Sequence, residues 1–441
     1  MNSHSEILLT FIGLIGLPLL AFSSLCFLLL IEKIPSEKIV TTTIRFVMLS
    51  HLVTVLACVV KYFQNGGMYF QAYLGKWYVL GSYGFDLELL FDEISLPILL
   101  VMSFLLNVVG HFCTRYLHRD NGFYRFCALY LLFSAGISIV VSAGTVDFLF
   151  AGWEFLGISS ALLIGYYHDR ETPVKNGLYA FIYYRICDVA LLAGAVMWHH
   201  YAQTSIVPKG LNDVSSYFTN TSPNELFYIA LMFICASLAK SAQFPLNGWL
   251  PKAMEGPTPS SAIFYGALSI HAGAYLLLRM QPIIANSPAA GVIVIVIGVI
   301  SASIGALVGR TRSDVKSILA YAAMAQVGLI YVEIGFGWTT IATIHVVGHS
   351  LFRSLQFLRS PTVLHDFHQI GAEPILSSIS KIELLLPPRL RSWVYRQALT
   401  AEESFDALLQ LSVHKPISNA KIRVTHKLNK KSDLQFVKEN G

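Results

Sequence analysis

Apolar side chains run in blocks of twenty or more through the first 360 positions, separated by short polar stretches. A helix needs about 20 mostly apolar residues to cross a bilayer. Eleven segments meet that length: 5–31, 42–63, 93–114, 122–143, 146–167, 176–199, 226–250, 259–280, 287–309, 315–335 and 338–358. The first is too long for a signal-peptide core and lacks both a basic flank and a small-residue cleavage site, so it is expected to remain as a span. Pro245 interrupts the seventh, and Pro251, Pro257 and Pro259 follow it. A helix broken inside lipid must find partners for its freed amides, so it is expected within the bundle or beside a water-filled cavity. Residues 67–91 alternate aromatic and polar side chains around Gly75, Gly81 and Gly84, which predicts an external β-hairpin. The pattern as a whole predicts an all-α polytopic membrane protein of about eleven spans, with helix seven broken.

Charge placement adds an orientation. Lys33, Lys38, Arg115, Arg119, Arg125, Arg170, Lys175, Arg310, Arg312 and Lys316 fall in loops after spans 1, 3, 5 and 9, whereas the loop after span 2 carries Asp86, Glu88, Asp92 and Glu93. By the positive-inside rule the N-terminus is expected outside and the tail after Leu358 in the cytoplasm. That tail, 359–441, changes character, with a short interfacial helix expected around 384–399 and a basic stretch from Lys421 to Lys438. Composition agrees: 54% of the 441 residues are hydrophobic and only 13% charged, with a mean hydropathy of +0.58. So few charges could not cover a soluble protein of this size, which excludes a cytosolic enzyme, a secreted disulfide scaffold and a disordered chain. The net charge of +5 is scattered through loops and tail, so it does not argue for nucleic-acid binding. Cys26, Cys58, Cys113, Cys127, Cys187 and Cys235 lie in or beside apolar runs and are expected as small packing residues rather than disulfides or metal ligands.

Ionisable groups inside the spans are the informative residues, because each is costly in hydrocarbon unless paired, hydrated or used. Glu154 sits near the middle of span 5, which suits a group that takes and releases protons. The alternative is a static ion pair, with Arg185 and Asp188 on one face of span 6 as candidate partners. Lys240 lies just before the break in span 7, where a buried amine beside water can exchange its proton; the alternative is a lysine reaching for the interface. His271 is expected in span 8 as a relay or as a packed neutral ring. His345, His349 and Arg353 recur at i, i+4 and i+8 and are expected as one polar stripe facing the bundle. Asp314 and Lys316 are expected to anchor the start of span 10. His365 and His368 have metal-like spacing but lack a third ligand, so no metal site is expected from them. The sequence has no Gly-rich phosphate loop and no Ser/His/Asp constellation that would argue for a bound cofactor or an active site.

These residues fall in motifs: Trp153-Glu154 with Ser159-Ser160, Arg185-x-x-Asp188, Lys240-Ser-Ala-Gln-Phe-Pro-Leu, Gly256-Pro-Thr-Pro, Asp314-Val-Lys and His345-x-x-x-His349-x-x-x-Arg353. In that order and spacing, over about residues 80 to 360, the chain resembles the antiporter-like proton-channel subunits of respiratory complex I and of the Mrp sodium/proton antiporters. The resemblance implies that Glu154 and Lys240 belong to a proton path. It also implies two inverted five-helix repeats starting near spans 4 and 9. The domains expected are 1–120 (N-terminal helices and hairpin), 121–280 (first repeat), 281–358 (a truncated second repeat) and 359–441 (tail).

Three departures narrow the resemblance. Arg353 stands where the family usually has lysine, Tyr265 where it has histidine (with His271 six residues on), and spanning stops after 358. These features, with the segment Phe264–Tyr275, are similar to the membrane subunits of the DAB inorganic-carbon accumulation system. That resemblance implies a bacterial inner-membrane protein that conducts protons and energises a large cytoplasmic zinc partner, DabA, similar to β-carbonic anhydrases. The zinc and the conversion of CO2 to bicarbonate would belong to the partner, and this chain would be a channel subunit rather than an enzyme. The alternatives are a proton-pumping or cation-exchanging subunit of a complex I-like or Mrp-like assembly, and a non-transporting membrane anchor.

Overall fold

The computed structural model describes residues 4–370 apart from 81, 82, 210 and 220, with side chains to Ser360, together with single positions at 387, 392, 393 and 396. The expected interfacial helix and basic tail otherwise lie outside the described residues, as do the side chains of His365 and His368. Eleven long helices follow the eleven apolar segments: α1 (Ser5–Leu30), α2 (Glu37–Gln64), α3 (Ser95–Tyr116), α4 (Phe123–Ser142), α5 (Val146–Ile164), α6 (Glu171–Ala202), α7 (Pro223–Lys240), α8 (Thr258–Arg279), α9 (Pro288–Gly309), α10 (Val315–Gly335) and α11 (Thr339–Ile370). Among the described residues, nine of these are long and apolar enough to cross a membrane. The two that fall short are α7, only 18 residues long with polar ends, and α11, whose apolar run is diluted by its histidines and arginine.

Local chemistry sets several starts. The Thr145 side chain accepts the Phe148 amide at the head of α5. Ser222 and Glu225 form a reciprocal capping box on α7. Asp314 accepts the Ser317 amide at the head of α10, and the Lys316 amine reaches the Gly256 carbonyl at 3.1 Å, so both expected anchors hold that end. Helices α4 and α8 form the centre: the apolar windows of the two are 94% and 100% buried, against 28% for α1 and 33% for α2 and α9, whose outer faces are apolar and exposed as lipid requires. Helices α9 and α10 lie so close that a Cβ on Gly298 would stand 2.5 Å from the Gly328 carbonyl, the small-residue contact that lets two membrane helices approach.

The break in the seventh segment comes at Lys240, so the helix expected to run to 250 stops ten residues early. After it, Ala242 takes a positive φ of 49°, Phe244-Pro245 is cis, and a short helix resumes at Trp249–Lys252. The freed backbone groups are satisfied from neighbours: the Phe244 amide donates to Ser301 Oγ at 2.9 Å, and the Gln243 amide to the Leu238 carbonyl at 2.8 Å. A second break appears where one continuous span was expected. Helix α8 is π-helical over Ser261–Ala267 and 3-10 over Ser269–His271 before resuming at Ala272. The two interruptions are joined, because the Ser241 hydroxyl donates to the Ile270 carbonyl at 2.7 Å and accepts the Ala274 amide at 3.1 Å. These bonds give amides and a carbonyl at the two breaks the partners that hydrocarbon would not supply.

The hairpin forms as expected, from β1 (Phe70–Leu80) paired antiparallel with β2 (Tyr83–Phe91), and it bulges between Tyr73 and Gly75 and between Lys76 and Tyr78. It caps one end of the bundle: the Glu88 backbone carbonyl accepts the Gly144 amide at 2.8 Å, and the Asp86 backbone carbonyl accepts the Thr145 hydroxyl at 3.0 Å. Where β2 leads into α3, Asp92 accepts the Ser95 amide at 2.8 Å and grips Arg279, the last residue of α8, with both carboxylate oxygens. Burial by itself would push the Asp92 carboxyl up. The Arg279 charge and hydrogen bonds, joined by Ser95, outweigh that and hold it below the usual carboxylate value. The stability this pair contributes is therefore present above the ordinary carboxylate range and is lost as pH falls through the lowered folded value. Asp92→Asn should cost ~3–5 kcal/mol, because it strands a buried guanidinium, whereas Asp92→Asn with Arg279→Met should recover most of that loss. Thermal unfolding in detergent checks both; a double variant no more stable than the single one would show that the pair is not the source.

Candidate functional site

The first cluster is assembled by α5, α6 and the end of α7. Arg185 Nη2 lies 2.5 Å from Glu154 Oε2 and 2.6 Å from Asp188 Oδ2, so one guanidinium holds two carboxylates, and its plane also lies over Phe181. Trp153 Nε1 donates to Asp188 Oδ1 at 2.7 Å, and the Lys240 amine donates to the Trp153 carbonyl at 3.0 Å. Lys240 is wholly buried, with the rings of Tyr184 and Trp153 4.5 and 5.3 Å from its nitrogen. Space for that amine depends on Gly157, where a Cβ would come within 2.7 Å of it. The sequence reading offers Arg185 and Asp188 as partners for Glu154 and gives Lys240 none. In the structure Glu154 belongs to Arg185, and Lys240 is joined to the acids only through Trp153, because the break in α7 aims the amine at the backbone of α5. Two acids and two bases therefore share one buried cluster in which Lys240 makes no ion pair with a carboxylate within 4 Å.

An aromatic row leads away from it. The Tyr184 ring stands 5.0 Å from Trp249, which stands 5.6 Å from Tyr265 on the π-helical part of α8. The second cluster begins six residues further along the chain, at the irregular turn. His271 Nδ1 lies 2.5 Å from the Ala267 carbonyl, and its Nε2 lies 2.8 Å from His349 Nδ1 on α11. Ser350 donates to the same carbonyl at 3.0 Å. Arg353 Nε points at His349 Nε2 from 3.5 Å, while its Nη1 donates to Gln356 at 2.7 Å.

The expected stripe on α11 is divided between two neighbours. His349 and Arg353 turn toward α8, but His345 turns toward α10, where its Nδ1 lies 2.8 Å from Glu333 Oε1 and its Nε2 lies 3.1 Å from Gln326 Oε1. An i, i+4, i+8 row drifts around the helix by ~40° per step, enough to change partners over two turns. Glu333 is absent from the sequence reading, although an acid inside an otherwise apolar run was signal enough. His51 is also missing from it: the ring is buried, bonded to Ser103 at 2.8 Å and Ser138 at 2.7 Å, and joins α2 to α3 and α4. Asp147 and His199 pair at 2.7 Å across α5 and α6. Among the described residues no group of His, Cys, Asp and Glu could hold a metal ion, and all six cysteines are free.

Comparison with known proteins bears on what these clusters are. Residues 143–383, more than half of the chain, match the NADH:quinone oxidoreductase/Mrp antiporter transmembrane family, and residues 77–127 match the N-terminal family of complex I chain 5. The chain is 31% identical over 313 residues to the chloroplastic NAD(P)H-quinone oxidoreductase subunit 5 of Piper cenocladum, covering 70% of this chain and 42% of that one. It is 32% identical over 298 residues to NADH-ubiquinone oxidoreductase chain 5 of Schizophyllum commune, covering 67% and 43%. The match thus spans less than half the length of these relatives. In structure it is similar to a chain of the Mrp complex from Dietzia sp. DQ12-45-1b, with TM-score 0.65, 26% identity, and 79% of this chain and 38% of that one covered. A chain of an archaeal membrane-bound sulfane sulfur reductase shares the fold alone, with TM-score 0.68 at 16% identity, covering 91% and 85%. A multi-pass helical bundle, the motifs on α5, α6, α7 and α11, and a family match across them agree: the chain belongs to the NADH:quinone oxidoreductase/Mrp antiporter transmembrane family.

Proposed function

We propose that this chain is a proton-translocating membrane subunit of a complex I-like or Mrp-like assembly, moving protons through the groups on α5, α6, α7, α8 and α11. The observation that carries the reading is Lys240. Its amine is fully buried at the end of a broken helix and joined through Trp153 to Asp188, Arg185 and Glu154. Lys240 balances the second acid of the cluster yet rests on a peptide carbonyl and not on a carboxylate, the placement expected of a group whose charge can change. Arg185 stays protonated and fixes the field, and Glu154 and Asp188 share its guanidinium, so a proton arriving at either acid frees that guanidinium for the other. The row of Tyr184, Trp249 and Tyr265 runs from this cluster to the π-helical part of α8, the helix that also carries His271, and His271 meets His349. The relatives named as subunits of quinone oxidoreductases and of the Mrp complex support a role inside a larger assembly.

The same reading takes 121–280 as a first repeat, 281–358 as part of a second and 359–441 as a cytoplasmic tail. The basic loops after α1, α3, α5 and α9 support an N-terminus on the outer face of a bacterial inner membrane. A second reading, an inorganic-carbon role with a DabA-like zinc partner, is favoured by Tyr265, His271 and Arg353 departing from the family pattern at the second cluster. Purification with native neighbours separates the two: quinone-reductase or Mrp subunits support the first, and one large zinc-containing partner supports the second.

For the path itself, Lys240→Met and Glu154→Gln should each lower proton flux into liposomes holding the native assembly by ~10²-fold or more, the usual scale for a positioned proton-transfer group, with subunits still copurifying. Undiminished flux would take that residue out of the path. His271→Phe, which fills the space but cannot hold a proton, is expected to block flux while leaving the fold intact; flux equal to the parent would make His271 a packing residue.

A further inference from the structure

The three histidines differ in what their partners allow. The Ala267 carbonyl can only accept, so His271 Nδ1 carries a hydrogen, and in the neutral ring Nε2 is left to accept. His349 Nδ1, 2.8 Å away, must then donate, and its Nε2 accepts from Arg353 Nε. Each of these rings is satisfied with one proton, and a second on either Nε2 would face another N–H. His345 is placed otherwise. Its Nδ1 faces a carboxylate oxygen of Glu333 at 2.8 Å, and its Nε2 faces the side-chain amide of Gln326 at 3.1 Å. A primary amide presents an acceptor oxygen or, turned over, a donor nitrogen. The ring is therefore fully bonded with two protons, giving one to each oxygen. It is equally bonded with one, giving it to Glu333 and accepting from the turned amide. The second carboxylate oxygen of Glu333, Oε2, is buried and has no hydrogen-bond partner among the described residues.

We infer that Glu333, His345 and Gln326 form a proton-holding site at the junction of α10 and α11, with the Gln326 amide turning over as the proton comes and goes. This rests on the proton-translocating reading above. The charged and titratable groups around it are Glu333 on α10, His349 and Arg353 on the same helix, and His271 on α8. Glu93 shares a cavity with Thr339, Thr343 and Val347, on the opposite side of α11 from His345 by helical spacing. The His345 and His349 rings are 6.3 Å apart between centres, too far for a direct bond, so passage onward needs a water or a ring rotation. In balance, one proton arrives at His345 Nε2, Gln326 turns its oxygen toward it, and the same proton leaves from that nitrogen as the amide turns back. No bond other than N–H changes.

Histidine-15N magnetic resonance of the full chain in lipid bilayers tests this, with His345→Asn assigning the signal. Of the three rings His271, His345 and His349, the expected result is that His345 alone shows a doubly protonated state, while His271 and His349 stay singly protonated. In Glu333→Gln the doubly protonated population should fall by about tenfold or more, the scale of losing one adjacent opposite charge, and Glu333→Asp should restore it. Proton flux should fall in Glu333→Gln and return in Glu333→Asp. A His345 ring that stays singly protonated at every pH overturns the inference, as does Glu333→Gln with parental signal and flux. Should Glu333→Gln not fold, the parental titration decides alone. The histidine pattern without any flux in liposomes holding the parent assembly would refute the transport reading and leave the site standing.

Discussion

Hydrocarbon offers no partner to a bare amide or carbonyl, and two helices of this bundle depart from regular α-helix. The structure answers with one hydroxyl. Ser241, the first residue after α7, donates to the carbonyl of Ile270 and accepts the amide of Ala274, so the interruption of one helix is stitched to that of the other. Tyr331 adds a bond from α10 to the Ser237 carbonyl at 3.2 Å, and Ser301 on α9 takes the amide of Phe244. Each loose end of the broken pair is tied by a different neighbour. Lys240 and His271, the residues beside the two breaks, hold their positions because of that stitching.

The electrostatics follow from where the tying is complete and where it is left open. At the hairpin end, Asp92 and Arg279 close on each other with two hydrogen bonds, Tyr275 accepts a third from the guanidinium, and the Ile94 and Ser95 amides complete the carboxylate, which is saturated. In the interior, Arg185 is divided between two acids and Lys240 rests on a peptide carbonyl. A saturated pair locks geometry. A shared one leaves more than one arrangement of similar energy, which is the condition for a charge to move.

Much of this was legible in the chain. The spans, the hairpin and the three-residue spacing of Arg185 and Asp188 follow from periodicity, and the buried charges announced themselves by being where lipid forbids them. What was not legible depends on rotation and distance. Hydropathy sees α8 as continuous, because neither a π turn nor a 3-10 turn changes which residues are apolar. The stripe on α11 reads as one face, yet 40° of drift per step sends His345 to α10 and His349 to α8. The partner of Lys240 could not be read from its neighbours in sequence, since the break at Ser241 sets the direction of its amine. Glu333 was overlooked for a different reason: it lies near the end of an apolar run, where a carboxylate is easily taken for a loop residue.

The clasp between Asp92 and Arg279 has a mechanical side. Arg279 ends the helix whose irregular turn carries His271, and Asp92 joins the hairpin to the head of α3. Eight residues of regular helix, Ala272–Arg279, connect that turn to the clasp as a stiff rod about 12 Å long. A rotation at the turn would be carried along that rod to the ribbon covering the end of the bundle. In this molecule the hairpin and the irregular turn are joined by one straight length of helix.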